Sequence, residues 1–275
     1  MRSLPVYYIR HNWKEEEYQT IINTLFEDHK VGIHFENTKE NQKDPFDPNS
    51  YHERAGKTSI NCLNECNKVE SLIVAAYKHH DKILIGKSET SSKGLFFSND
   101  IEIKYLKLTD FKKVTIDAFP LPFLIAPPFS TFVKWHMGKI SVNTFFFKKE
   151  KSFKIEMLLP WQLEILAEEW LRKKDIIKYK LYKTGGQMKS FDIVGVDDEN
   201  NPIYVQVKHE CSENTVNKFF GEIDSMENVK GYFFTIKIIG KVPDKISDEG
   251  LITFKEVIND FRNDKKYLEK LCYGF

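Results

Sequence analysis

The stretch T184-GGQMKSFDIVGVDDENNPIYVQV-K208 decides the reading of this chain. Its first half ends in a short apolar segment, Ile193–Val196, with one acid, Asp192, at its edge. Asp197 to Pro202 is crowded with Asp, Asn and Pro, so it reads as a turn, with Asp197 and Asp198 as turn formers. The segment IYVQVK then returns as a second strand carrying Gln206 and Lys208. Strand residues alternate between faces, so Gln206 and Lys208 point the same way. If the two segments pair, Asp192 meets them at one end of a sheet. An acid, a second oxygen ligand and a lysine gathered there suit a hard cation beside a scissile phosphate. The cation takes oxygen ligands, and the lysine supplies a compact positive charge next to an activated water.

Upstream, LPWQLEILAEEWLRKK predicts an amphipathic helix over Leu159–Lys173, with Leu163, Leu166, Ala167 and Trp170 at helical spacing. Downstream, VKGYFFTIK (Val229–Lys237) and GLITF (Gly250–Phe254) read as strands, and a helix follows through Leu271.

This order, with the Asp…Gln-x-Lys pattern, resembles the PD-(D/E)xK nuclease superfamily in its Mrr-like restriction endonuclease form. The resemblance covers residues 155 to 275. It rests also on Gln162, Leu163 and Glu164 in the opening helix and on the pair Gly185–Gly186 before the acid. It implies a restriction-endonuclease-like mixed sheet flanked by helices, an α/β arrangement. Glu164, Asp192 and Gln206 would hold Mg2+ or Mn2+, with the Val207 carbonyl as an added ligand, and Asp192, Gln206, Lys208 and Glu164 would form the catalytic set. Gln206 departs from the commoner acid, so it lends an oxygen but no charge. Lys183 and Lys189 flank the glycines, and all four are candidate nucleic-acid contacts. Each residue also has an ordinary account. Asp192 fits a polar strand end, Lys208 an edge lysine that opposes aggregation, and Glu164 one of three acids with Glu168 and Glu169 on an exposed helix face.

Residues 1–150 read differently. LPVYYIR is a strand, EEEYQTIINTLFEDH a helix and VGIHFE a strand. Asn37–Ser59 is polar, with Pro45 and Pro48, and reads as a long loop. SLIVAAYKHHDKILIGKSE reads as a β-hairpin, IEIKYLKL and VTIDAF as further strands, and LPFLIAPPF as an extended connector broken by proline. The charged run Lys148–Lys154 marks a boundary between domains 1–150 and 151–275. The N-terminal order, with Val74, Ala75, Tyr77, Ile85, Gly86 and Lys87 in the hairpin, resembles strand-rich PUA-like and EVE-like nucleic-acid-binding modules, giving an α+β half. That resemblance implies a pocket for a flipped, modified base. A flipped base needs stacking surfaces, and Tyr7, Trp13, His34 and Phe35 are candidates, although core packing is the ordinary account of Tyr7 and Phe35.

The 275 residues carry 22 Phe and 12 Tyr, and the net charge is only +1. That balance excludes a basic nucleic-acid coat protein and leaves DNA contact to local patches. Four cysteines do not make a disulfide framework at this length. Cys62 and Cys66 share one face of any helix, but no second Cys or His pair follows at zinc spacing. Reduced thiols, no signal peptide and no long apolar run point to a cytoplasmic protein without membrane contact. The expected function is a metal-dependent endonuclease of restriction or phage-defence type. Its partner is double-stranded DNA, and it works as a homodimer, because one site cuts one strand. A second system component stays open. A non-catalytic nucleic-acid-binding protein and an RNA-processing or repair nuclease are the alternatives.

Overall fold

The computed structural model describes all residues except 1–2, 14–15, 17, 37–43, 99–100, 128–130, 152, 183–190, 241–249 and 275. The chain divides into one unit of Met1–Lys151 with Tyr273–Phe275 and a second of Ser152–Cys272.

In the first unit the elements are β1 (Val6–His11), α1 (Tyr18–Glu27), β2 (Lys30–Ile33), α2 (Arg54–Lys68), β3 (Leu72–Tyr77) and β4 (Ile83–Ser88). They continue with β5 (Gly94–Ser98), β6 (Ile101–Val114), α3 (Leu121–Leu124), β7 (Phe132–Lys134) and α4 (Lys139–Phe146). The sheet order is β2-β6-β4-β3-β1-β7, with β5 also on β6. β6 does double duty because of its length. Its first half pairs with β5 and β2, and Leu108–Val114 pairs with β4.

Both faces of this sheet are covered. On one, Tyr7 and Ile9 of β1 and Ile73 and Ala75 of β3 pack with Ile21, Leu25, Ile60 and Leu63 of α1 and α2. On the other, Val6, Tyr8, Leu72 and Val74 pack with Phe119, Trp135, Val142 and Phe146. Burial on both sides explains why VYYI and LIVAAY are apolar runs without alternation.

Three expectations change here. Residues 54–59 are not loop but the start of α2, whose buried face uses Gly56, Ser59 and Cys62 beside Ile60 and Leu63. VTIDAF is not a separate strand, since Val114 only closes the 14-residue β6. The stretch after Pro120 opens as a short helix, α3, in place of an extended connector.

The second unit runs α5 (Pro160–Lys173), β8 (Tyr179–Lys180), β9 (Ile193–Val196), β10 (Pro202–Ser212), α6 (Glu213–Asp224), β11 (Lys230–Ile239), β12 (Leu251–Thr253), α7 (Phe254–Asp260) and α8 (Lys265–Tyr273). The terminal helix is thus two helices. Its sheet, β12-β11-β10-β9-β8, is mixed. β12, β11 and β10 are parallel, and β9 and β8 are antiparallel. Consecutive residues of β11 show the layering. The Phe233 ring lies 5.4 Å from Phe219 of α6, and the Phe234 ring lies 5.6 Å from Trp170 of α5 and 5.8 Å from Phe254 of α7. Helices therefore cover both faces of a mixed sheet.

The start of α5 is fastened by a glutamine. Gln162 is 1% exposed. Its Oε1 accepts the Leu159 N–H at 2.7 Å and its Nε2 donates to the Leu271 carbonyl. Among the described residues no helix is long and apolar enough to cross a membrane.

Candidate active site and aromatic pocket

Asp192 stands immediately before β9, and its main chain still belongs to the sheet, because its N–H donates to the Val205 carbonyl at 2.8 Å. Its side chain then takes over from the backbone. The Asp192 Oδ2 accepts the Val207 N–H at 2.7 Å. Lys208, the next residue of β10, brings its Nζ to 3.4 Å from the same oxygen. The pair is partly open, with side chains 38% and 24% exposed, so a ligand can reach it. The N–H and C=O of a strand residue point to the same side, so the Val207 carbonyl lies on the side of Asp192 too.

Glu164, on α5, lies within electrostatic reach of this pair. Burial raises its pKa first, the Asp192 charge raises it further, and Lys208 and Lys180 oppose the shift. The Asp192 carboxylate therefore sits close enough to disfavour the charge of Glu164. Repelling, half-buried carboxylate oxygens are a donor set that a hard divalent cation relieves. Gln206 lies between Val205 and Val207 on β10, half-buried and in register with Phe233. Among the described residues no three His, Cys, Asp or Glu side chains gather as a metal cluster.

One turn along α5, Glu168 binds Lys180 of β8 at 2.6 Å and Arg172 at 3.0 Å. These contacts lower the Glu168 pKa. The sequence pattern does not single out Glu168 or Lys180, although the alternation of base and aromatic in Lys178-Tyr179-Lys180-Leu181-Tyr182 is a visible signal.

Asp197 does serve the turn. Its carboxylate accepts the N–H groups of Glu199 and Asn201 and binds Lys230 at 2.9 Å. Gly185, Gly186, Lys183 and Lys189 lie outside the described residues.

In the first unit, two expected nucleic-acid contacts are overturned. Tyr7 is 2% exposed and Trp13 6%. Tyr7 faces the core between the sheet and α2, with its hydroxyl donating to Glu65. Neither ring has a face to offer a base, because β1, which carries Tyr7, is covered on both sides, and Trp13 is packed among His11, Tyr18 and His34. His34 and Phe35 do border a cavity of about 460 Å³, which Tyr18, Tyr51, Glu36 and Glu53 also line. Trp13 backs this wall, its ring 4.4 Å from His34 and 5.4 Å from Tyr18. Below it, the Lys104 ammonium is 1% exposed, bound to the Phe35 carbonyl at 2.6 Å and to Glu102 at 2.7 Å.

No protein-family model matches the sequence, and no curated protein does. Among solved structures, the chain is similar to an EndoMS–dsDNA complex at a TM-score of 0.26 and 9% identity, covering 67% of this chain and 63% of that one. A repair endonuclease from Pyrococcus abyssi gives 0.25 and 14%, covering 63% of this chain and 76% of that one. The chain thus spans less than two thirds of the EndoMS chain. Likenesses this slight bear on neither activity nor substrate.

Proposed function

We propose that the protein is a metal-dependent DNA endonuclease of restriction type, in which the second unit cuts and the first selects the target. One observation carries this reading. Asp192 at a strand edge pairs with Lys208 of the neighbouring strand in a partly open position, and Glu164 of α5 lies within electrostatic reach of both. A structural ion pair needs no second, mutually repelling acid beside it.

Glu164 and Asp192, with the oxygens of Gln206 and Val207, are the residues that would hold Mg2+ or Mn2+. When bound, such an ion polarises the phosphate and lowers the pKa of a water. The chain's own groups have separate tasks. The Val207 N–H fixes the rotamer of Asp192, so one carboxylate oxygen stays aimed at the cluster. Lys208 is a compact charge that orients the attacking water and offsets negative charge building on the phosphate in the transition state. Cleavage of both strands calls for two copies of the chain.

The cavity bordered by Tyr18, His34 and Phe35 suits target selection, since these half-buried rings can stack on an extruded base, with the buried Tyr51 behind them. Nicking of supercoiled plasmid tests the proposal, with Mg2+ or Mn2+ present, on methylated and unmethylated DNA and against single-stranded RNA. Metal-dependent nicking of DNA is the expected result. DNA binding without cleavage under any metal leaves the non-catalytic reading, which the neutral Gln206 favours. Cleavage of RNA alone makes the protein an RNA nuclease.

A further inference from the structure

In the first unit, β5 pairs with β6 and, among the described residues, with no other strand. Its second edge is therefore open. The side chains of Gly-Leu-Phe-Phe-Ser alternate in burial. Phe96 turns inward and packs on the core, its ring 5.8 Å from that of Tyr105. Leu95 and Phe97 are two residues apart and so share the other face. They are 38% and 68% exposed. None of the five residues is charged and none is proline. Charge and proline are the usual means by which an edge strand avoids pairing with another chain. Lys93, just before the strand, is turned to the Phe46 ring and to Asn64.

The backbone directions of β5 follow from β6. Lys107 donates its N–H to the Ser92 hydroxyl at 3.2 Å, and its carbonyl accepts the Glu89 N–H at 3.0 Å, both on the side from which β5 comes. Leu108 donates the other way, to the His29 carbonyl beside β2, at 2.9 Å. Directions alternate along a strand, so Tyr105, Ile103 and Ile101 face β5 as Lys107 does. Their partners in register are Gly94, Phe96 and Ser98. Leu95 and Phe97 therefore direct their N–H and C=O groups outward. The exposed apolar side chains and the open backbone groups belong to the same two residues.

These two residues are placed symmetrically about Phe96, so the edge is complementary to itself. Antiparallel pairing with β5 of a second copy, about a two-fold axis at Phe96, sets Leu95 of each copy opposite Phe97 of the other. Each such pair exchanges two backbone hydrogen bonds, and its apolar side chains cover one another on one face. Gly94 meets Ser98, so no like charges are opposed. A two-fold contact requires this kind of self-complementarity. A nucleic-acid strand fits worse, because its phosphates find no cation on β5. We infer that the β5 edge is a dimer contact, through which two copies of the chain join their first-unit sheets in antiparallel register. The inference does not depend on the nuclease reading, although it supplies the two copies that cleavage of both strands calls for. Four hydrogen bonds and two side-chain pairs make a small contact, so the association is reversible and follows concentration.

Sedimentation of the full chain over a range of concentrations, without DNA, tests this. The native chain is expected to pass from monomer to dimer as concentration rises. Leu95→Glu and Phe97→Lys each spoil both side-chain pairs of a homodimer. Within the chain each introduced charge faces an opposite one on β6, Lys104 or Glu102, so circular dichroism stays native. Each variant alone is expected to raise the dissociation constant about tenfold. Mixing the two restores association, because the introduced glutamate of one copy then faces the introduced lysine of the other, and the second pair remains Leu95 with Phe97. That rescue is particular to this register. Three results overturn the inference: a native chain that stays monomeric at every concentration, a variant that dimerises as the native chain does, or a mixture that associates no better than its components.

Discussion

The carboxylate of Asp192 accepts the backbone N–H of Val207, a bond of 2.7 Å that replaces a rung of the sheet with a side chain. Just before β9 begins, the side chain of Asp192 occupies the place of a missing rung. Val207 is thereby satisfied, and an anionic oxygen is left at the sheet's open end.

Asp192→Asn keeps an oxygen for Val207 but loses the charge. Lys208→Ala removes the cation and little packing. Both variants are expected to retain the circular dichroism of the native chain. Lys208→Ala is expected to lower the nicking rate by about 10²–10³. Native-rate nicking by Lys208→Ala removes the role given to that residue.

Gln206→Glu places a third acid beside Glu164 and Asp192. Half-saturation of nicking should fall to lower Mg2+ concentration, with activity preserved. A metal titration reads this directly. Loss of activity at every metal concentration, with the fold intact, argues that Gln206 lies away from the ion.

Gln162→Leu keeps the volume of a side chain that is 1% exposed but abandons the Leu159 N–H and the Leu271 carbonyl. Each buried group left without a partner costs about 1–3 kcal/mol. A lowered denaturant midpoint is expected. Activity at low temperature survives, since Gln162 fastens the helix bearing Glu164 and does no chemistry itself.

His11 sets an acid limit on the first unit. Its Nδ1–H donates to the Ala76 carbonyl at 3.2 Å and its Nε2 accepts the Gly32 N–H at 3.1 Å. That wiring needs the neutral ring, and burial depresses its pKa to about 3. The unfolded chain takes up this proton near the ordinary value of 6.5, whereas the folded chain does not until about 3. The stabilisation is therefore complete above 6.5 and drains away as pH falls toward 3. At about pH 4.5 the loss is about 3 kcal/mol. Melting curves against pH for the native chain and His11→Gln measure it, and the variant should show the shallower decline. Parallel curves refute the assignment.

Much of the second unit can be read from residues, because its elements carry local signs. Leu163, Leu166, Ala167 and Trp170 mark α5, and Val205 and Val207 alternate with Gln206 and Lys208 on β10. Helix α6 also carries a legible signature, a Ser212 cap followed by Val216, Phe219 and Ile223 on one side, but it lies beyond the pattern that draws attention. Helix α2 is harder. Glu53 makes no side-chain cap at its start, and its inner face is built partly of Gly, Ser and Cys, so apolar periodicity is faint. Tyr7 and Trp13 fail for another reason. An aromatic ring is equally suited to a base and to a core, and only the tertiary packing decides: the covered sheet faces for Tyr7, the rings of His11, Tyr18 and His34 for Trp13. The Glu168–Lys180 contact joins residues 12 apart, which no spacing rule connects.

Lys104 can also act as a clock. Its amine is 1% exposed and shared among the Phe35 carbonyl, Glu102 and the ring of Tyr51. An amine-reactive reagent will acylate surface lysines at once but reach Lys104 only when this part of the fold breathes. Its labelling rate, followed by mass spectrometry, counts those openings one molecule at a time.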